Sequence, residues 1–229
     1  MSITENYARI REEIPDDVTI VLSGKTRTVE QIKEAIDAGV TDIGENYVQE
    51  AGQMYSALQK KAAKVKWHMI GHLQTNKINK AIRIFDVIQT IDSLEKAAAV
   101  DKRVETARKQ IVPVYVEINI GSEFSKAGIK PADHEPFDEY IEKLVRDMSK
   151  LEHITVEGLM TMGPRSGNPE DVRPYFRRTR KIFEKIKALD LPNVNMKYLS
   201  MGMSNSYGVA IEEGSNMVRI GTAIFGKRK

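Results

Sequence analysis

The chain contains no cysteine. That absence excludes disulfides, thiolate nucleophiles and thiolate-held metal or iron–sulfur centres together, and it fits a reducing, cytoplasmic setting. Long apolar runs are missing too, since no stretch approaches the roughly 18 residues of a membrane span, and residues 1–13 are polar without the apolar core of a secretory signal. Neither sign of charge dominates: 35 Lys and Arg against 32 Asp and Glu leave +3, too even a balance to argue for nucleic acid. Lys60, Lys61, Lys64 and Lys66 read as a solvated helix end, and the tail Lys227-Arg228-Lys229 is too short to bind anything specifically. No Gly-x-Gly-x-x-Gly follows the first apolar run, and Ser23-Gly24-Lys25-Thr26 fails as a P-loop because Thr19 stands where the leading glycine belongs. No Pro/Gly/Ser-rich linker interrupts the 229 residues, so a single domain over 1–229 is expected, large enough to bury roughly 70–75% of its unfolded surface.

What is present is a repeating alternation. Short β-branched runs at 19–22, 42–44, 65–70, 86–90, 112–120, 154–160, 196–200 and 216–220 are each followed by an amphipathic stretch. The corresponding helices are predicted at 29–38, 47–64, 76–84, 93–109, 135–150, 169–189 and 206–213, with a poorly formed last one. Eight strand–helix units over about 210 residues predict parallel strands and a closed (β/α)8 barrel, with a helical lead at the N-terminus. The segments 121–131 and 163–170 are the expected flexible loops.

A barrel of this kind places its active site at the C-terminal ends of the strands. Glycines, amides and hydroxyls converge there, as a small polar or phosphorylated ligand requires. Lys25 follows an apolar strand and a glycine, and a partly desolvated lysine in that position is a nucleophile for aldehydes; the alternative is an ordinary loop lysine. Arg219 lies between Val218 and Ile220, so alternation sends it to the face opposite its neighbours, either inward to an acceptor or outward to solvent. Gly221-Thr222 and Ser200–Ser204 close units eight and seven, where barrels often hold phosphate; Ser204 and Ser206 can equally be helix caps. Asn46 either caps the next helix or points into the mouth. His68 reads first as a satisfied core histidine, and with His72 it lacks the third ligand a metal needs, so no metal is expected.

These segments together resemble the pyridoxal phosphate homeostasis proteins, single-domain relatives of the alanine racemase N-terminal barrel. The resemblance spans about residues 18–227. It rests on Lys25-Thr26, on 44–50 (GENYVQE), 67–77 (WHMIGHLQTNK), 158–162 (GLMTM), 199–204 (LSMGMS) and 218–226 (VRIGTAIFG), six motifs in order at barrel spacing. It implies a fold-type III barrel carrying pyridoxal 5'-phosphate. By match, Lys25 would hold the cofactor as a Schiff base. Ser204, Gly221 and Thr222 would hold its phosphate, Arg219 would face the pyridine nitrogen, and Asn46, His68 and Met201 would line the ring. Gly24 stands where the family generally has serine, Arg27-Thr28 replace Lys-Pro, and Ser206 replaces aspartate; Gly24 and Ser206 predict looser loops around the cofactor.

An arginine stays protonated, so at the pyridine nitrogen it keeps the ring unprotonated and a poor electron sink. Racemisation also needs an acid–base group on each face of the substrate carbon. In the full racemases a tyrosine from a C-terminal β-domain supplies the second face, and this chain ends within nine residues of Ile220, so a lack of that domain is expected. The reading is a cofactor-binding protein in pyridoxal phosphate homeostasis, monomeric, with little or no catalysis and with apo forms of pyridoxal phosphate enzymes as acceptors. The alternatives are a pyridoxal phosphate-dependent amino-acid racemase and a phosphate-binding barrel without an aldehyde cofactor.

Overall fold

The computed structural model describes residues 2–107, 111–123, 127–134, 136–164 and 167–226. Strands β1 (Thr19–Ser23), β2 (Asp42–Glu45), β3 (Lys66–Met69), β4 (Val87–Ile91), β5 (Val112–Ile118), β6 (Ile154–Thr161), β7 (Val194–Met203) and β8 (Met217–Ile220) pair in parallel in chain order. β8 pairs with β1, from Thr19 opposite Met217 to Leu22 opposite Ile220, and closes the barrel. The helices are α1 (Ile3–Glu13), α2 (Val29–Asp37), α3 (Val48–Leu58), α4 (Ile78–Ile84), α5 (Leu94–Ala107), α6 (Phe137–Met148), α7 (Arg173–Lys187), α8 (Tyr207–Glu212) and α9 (Thr222–Phe225). The expected eight-unit barrel with a lead helix is the observed architecture.

Parallel strands need crossover connections, and helices supply them, so both sheet faces are covered and the strands read as nearly continuous apolar runs. Side chains alternate across the sheet. Leu22, Ile43, Trp67, Val114, Leu199 and Val218 face outward into the shell beneath the helices. Val21, Val87, Tyr115, Met160 and Met217 fill the barrel interior. Each large apolar side chain so buried stabilises the fold by about 1.5–3 kcal/mol.

Two elements depart from the periodicity. The helix predicted over 47–64 stops at Leu58 and continues as a 3-10 segment, Gln59–Lys64, with Gln59 at φ 51°. Trp67 accounts for the change, because its indole Nε1–H donates to Ala62 O at 2.9 Å and draws that segment against the barrel. β7 begins two residues before the predicted strand and runs three beyond it, to the rim. Predicted helix ends at 108–109 and 135, parts of the loops 121–131 and 163–170, and the basic tail 227–229 lie outside the described residues.

α1 carries a capping box between Ser2 and Glu5. Its Asn6 amide donates to Ile224 O at 2.9 Å and the Ile3 N–H donates to Glu34 Oε1 at 3.1 Å, docking the lead helix on α9 and α2. Among the described residues no helix is long and apolar enough to cross a membrane.

Candidate functional site

A cavity of about 270 Å³ opens at the C-terminal ends of the strands. It is lined by Lys25, Asn46, Ser204, Arg219, Gly221 and Thr222, six of the eight residues singled out from the sequence, together with Ser23, Ile70, Met162, Met203 and Asn205. These come from positions as far apart as 25 and 222, and barrel closure between β8 and β1 makes them neighbours.

Lys25 rides on a tight turn after β1. Gly24 N–H donates to Gly44 O at 2.9 Å, extending the β1–β2 ladder by one rung, and Arg27 N–H donates back to Gly24 O at 3.0 Å. Thr26 within that turn sits at φ 65°, a costly conformation for a β-branched residue. Its surroundings hold it there: the Arg27 guanidinium donates to Gly226 O at 3.1 Å and lies 4.8 Å from the centre of the Phe225 ring, while Thr28 caps α2. The turn presents Lys25, half-buried, to the cavity.

On the opposite wall, β7 bends near its end at a register shift against β8, where Gly202 adopts φ +96° and a Cβ would meet Ala210 Cβ at 2.6 Å; the turn follows at 204–206. That turn carries Ser204 into the mouth. The Ser204 hydroxyl accepts from the N–H groups of Gly221 and Ala223, each at 3.3 Å. It therefore bridges loops seven and eight and does not cap α8, whose N-cap is Ser206. Asn46 does not cap α3 either, since the N-cap there is Tyr47 without a side-chain bond. Asn46 Oδ1 is buried and has no hydrogen-bond partner, an acceptor left open at the cavity wall.

Arg219 faces inward, which resolves the alternation. It is buried, and it donates through Nη1 to Ser200 O (2.8 Å) and Ser200 Oγ (2.7 Å) and through Nη2 to Thr161 O (2.7 Å). Burial pulls its pKa down to about 10, against the attraction of Glu117, so the guanidinium remains charged at neutral pH. Glu117, inward by alternation with Val116 and Ile118, has an unpartnered Oε2. Burial first and then repulsion from Asp92 push its carboxyl up to about 7, opposed by Lys96 and Arg219.

Two expectations need correction. Met201 does not line a ring site: it is fully buried among the outward-facing residues beneath the helices, because Ser200 occupies the inward position and alternation turns its neighbour away. His68 faces inward, but in a lower layer of the barrel. Its Nε2 meets Asp42 Oδ1 at 2.8 Å and its Nδ1 meets Gln89 Nε2 at 2.9 Å, so it is the satisfied interior histidine of the first reading. His72 is exposed, 3.7 Å from Asp92. Among the described residues no three metal-ligating side chains are grouped to hold an ion. Sequence reasoning missed Glu117, Gln89 and Ser200 as interior polar residues; the available signal was a polar residue inside an apolar strand run.

Comparison with known proteins places the chain in a family. The alanine racemase N-terminal domain family model matches residues 1–229. A pyridoxal phosphate homeostasis protein of Aquifex aeolicus is 40% identical over 211 residues, covering 91% of this chain and 87% of that protein. The chain belongs to the pyridoxal phosphate homeostasis proteins of the alanine racemase N-terminal domain family. The structure of PipY from Synechococcus elongatus with PLP bound superposes with a TM-score of 0.87 at 28% identity, over 98% of this chain and 100% of that one. Alanine racemase of Clostridium difficile, at 16% identity and TM-score 0.78, shares the fold over 99% of this chain and 56% of its own.

The positions that depart from the pattern of the pyridoxal phosphate homeostasis proteins each have defined surroundings. A Cβ on Gly24 would stand 2.4 Å from Glu45 Oε1, so the buried Glu45 side chain occupies the space beside that glycine. Ser206 Oγ accepts from Met203 N–H at 3.2 Å and ties the loop after β7. Thr28, in place of proline, provides the side-chain cap of α2.

Proposed function

We propose that this chain binds pyridoxal 5'-phosphate at the barrel mouth, holds it on Lys25 as a Schiff base, and serves pyridoxal phosphate homeostasis in the cytoplasm, as a monomer, with little or no turnover. The observation that carries the reading is the convergence on one cavity of a lysine, an open amide acceptor, a buried guanidinium and a hydroxyl-and-N–H corner. Each suits one part of the cofactor. The Lys25 amine condenses with an aldehyde, forming the C=N bond and releasing one water. The Ser204 and Thr222 hydroxyls at the Gly221 turn suit a phosphate dianion, Ser204 Oγ being held there by the N–H groups of Gly221 and Ala223. Arg219 has five N–H donors, and its three bonds to Ser200 and Thr161 leave Nε–H and one Nη2–H for a ring nitrogen. When bound, the cofactor supplies an electrophilic aldehyde and an aromatic electron acceptor.

Weak turnover follows from what the mouth contains. Among the described residues lining the cavity, Lys25 is the sole amine, imidazole, carboxyl or phenol. It can serve one face of a substrate carbon, and racemisation needs a proton carrier on both. A permanently charged arginine at the ring nitrogen also withholds the proton that would make the ring a strong electron sink. Apo forms of pyridoxal phosphate enzymes are the proposed recipients.

The test is spectroscopic. Purified protein should be yellow, borohydride should fix the cofactor to one peptide containing Lys25, and Lys25→Ala should abolish the adduct. An adduct at a different single lysine overturns the assignment. Solvent deuterium appearing at Cα of free amino acids over many turnovers would establish a racemase-like enzyme instead, and a protein that stays colourless with added cofactor would indicate a phosphate site alone.

A further inference from the structure

One chain of side-chain hydrogen bonds leaves the cofactor cavity and crosses the barrel. Arg219 Nη1 meets Ser200 Oγ at 2.7 Å, and Ser200 Oγ meets Gln89 Oε1 at 2.7 Å. Gln89 Nε2 meets His68 Nδ1 at 2.9 Å, and His68 Nε2 meets Asp42 Oδ1 at 2.8 Å. The five residues come from β8, β7, β4, β3 and β2, and all are buried. Asp42 and His68 border a second cavity, about 290 Å³, lined also by Thr19 and Met217 from the strand starts. The chain thus runs from the mouth to the opposite end of the barrel.

Its direction is set by its ends. A guanidinium only donates and a carboxylate only accepts, while serine, glutamine and neutral histidine can each do both. Starting at Arg219, Ser200 accepts and donates its O–H to Gln89. Gln89 then donates to His68 Nδ1, and its other amide hydrogen is directed at Met217 Sδ, 3.3 Å away. His68 carries its single proton on Nε2 and donates it to Asp42. Burial works to raise the Asp42 carboxyl, but hydrogen bonds from His68 and Thr41, together with nearby positive charge that includes Lys66, hold the group below the ordinary carboxylate range, so the terminal acceptor is charged. Bonds aligned in one sense in a low-dielectric interior polarise one another.

We propose that Gln89 and His68 are positioning residues for Arg219: through Ser200 they fix the guanidinium that faces the cofactor ring, and Asp42 anchors the chain from the far end of the barrel. The proposal rests on the cofactor reading above for its ligand, but the geometry of the chain stands without it. The rival is that the carbonyls of Ser200 and Thr161, which also accept from Arg219, hold it unaided and that the rest of the chain only satisfies buried polar groups.

The discriminating variants are Gln89→Met, which keeps the volume and removes both bonds, and Asp42→Asn, which keeps an acceptor for His68 and removes the negative end. In cofactor-free protein, side-chain 15N spectra should show His68 protonated on Nε2 alone, and a proton on Nδ1 at neutral pH overturns the chain. Loosening the guanidinium that faces the ring should weaken pyridoxal phosphate binding about tenfold in Gln89→Met, equivalent to about 1.4 kcal/mol. It should also change the visible absorption of the loaded protein while leaving borohydride trapping at Lys25 in place. Asp42→Asn should move both readouts in the same direction, less far. Wild-type affinity and spectrum in a cooperatively melting Gln89→Met protein overturn the proposal. If that variant does not melt cooperatively, wild-type values in Asp42→Asn overturn it. Wild-type protein that neither colours nor traps cofactor sinks the cofactor reading and leaves the histidine spectrum to decide the chain.

Discussion

Glu45 ends β2 beside the Lys25 turn, buried, with Oε2 unpartnered. Burial first, then repulsion from Glu50, outweigh the Asn46 N–H and the Lys25 charge and push its carboxyl from 4.5 up to about 8. Between those two values the unfolded chain has released the proton and the folded protein retains it. Stability therefore falls as pH rises through that window and levels off above about 8. Glu117, raised to about 7, adds a fall of the same sign. In cofactor-free protein, Glu45→Gln should reduce the drop in melting temperature between about pH 5 and pH 9; equal drops in variant and wild type would show that Glu45 is not held protonated. Glu45 was visible in the sequence as part of a motif, but not as a buried acid, since the space it fills is left by Gly24, one helix and one strand earlier in the chain. Arg219 was half legible: alternation opposes it to Val218 and Ile220, and the inward choice needed the acceptors on β6 and β7. Met201 and His68 show the converse, because a motif match carries a residue's position and neither the face of the sheet, which moved Met201 outward, nor the layer of the barrel, which set His68 below the mouth.

At the scale of elements, the sequence located helices better than their caps: Asn46 and Ser204 do not cap, and the cap that does form at α2 went unread. Thr28 and Gln31 form a reciprocal capping box at the start of α2, at 3.3 and 3.0 Å. Thr28→Ala should cost about 1 kcal/mol, seen as a lower urea midpoint with an unchanged slope. A larger loss with altered cofactor trapping would mean that the cap also sets the Lys25 turn. The strands were placed to within a few residues because β-branched runs bounded by turns are a local signal. The break at Gln59 was not, because it answers to Trp67 in the next strand. The extension of β7 to Met203 likewise depends on its neighbours: Ser215 Oγ stands within hydrogen-bond distance of the carbonyls of Leu199, Met201 and Met217, and its single O–H donates among them where β7 meets β8.

For the whole molecule, the proposed ligand reports on the fold. A ligand that binds only the folded state adds RT ln(1 + [L]/Kd), about 2.7 kcal/mol at a hundredfold excess over Kd. Saturating pyridoxal phosphate should raise the melting temperature of the wild type by several degrees and that of Lys25→Ala by clearly less. Equal shifts would place the cofactor's binding energy away from Lys25. The sequence by itself determined the alternation of strands and helices, hence parallel pairing and an eight-unit barrel, and it placed Lys25, Ser204, Gly221 and Thr222 at strand ends. These follow from periodicities of about 2 and 3.6 residues, which are local properties of the chain. Only the tertiary structure decided which strand face is interior, which acceptors meet Arg219, and that Gln89 and Ser200, 111 residues apart, touch. Closure is the physical reason: until β8 pairs with β1 there is no inside, and a two-residue period separates two faces without saying which one the barrel encloses.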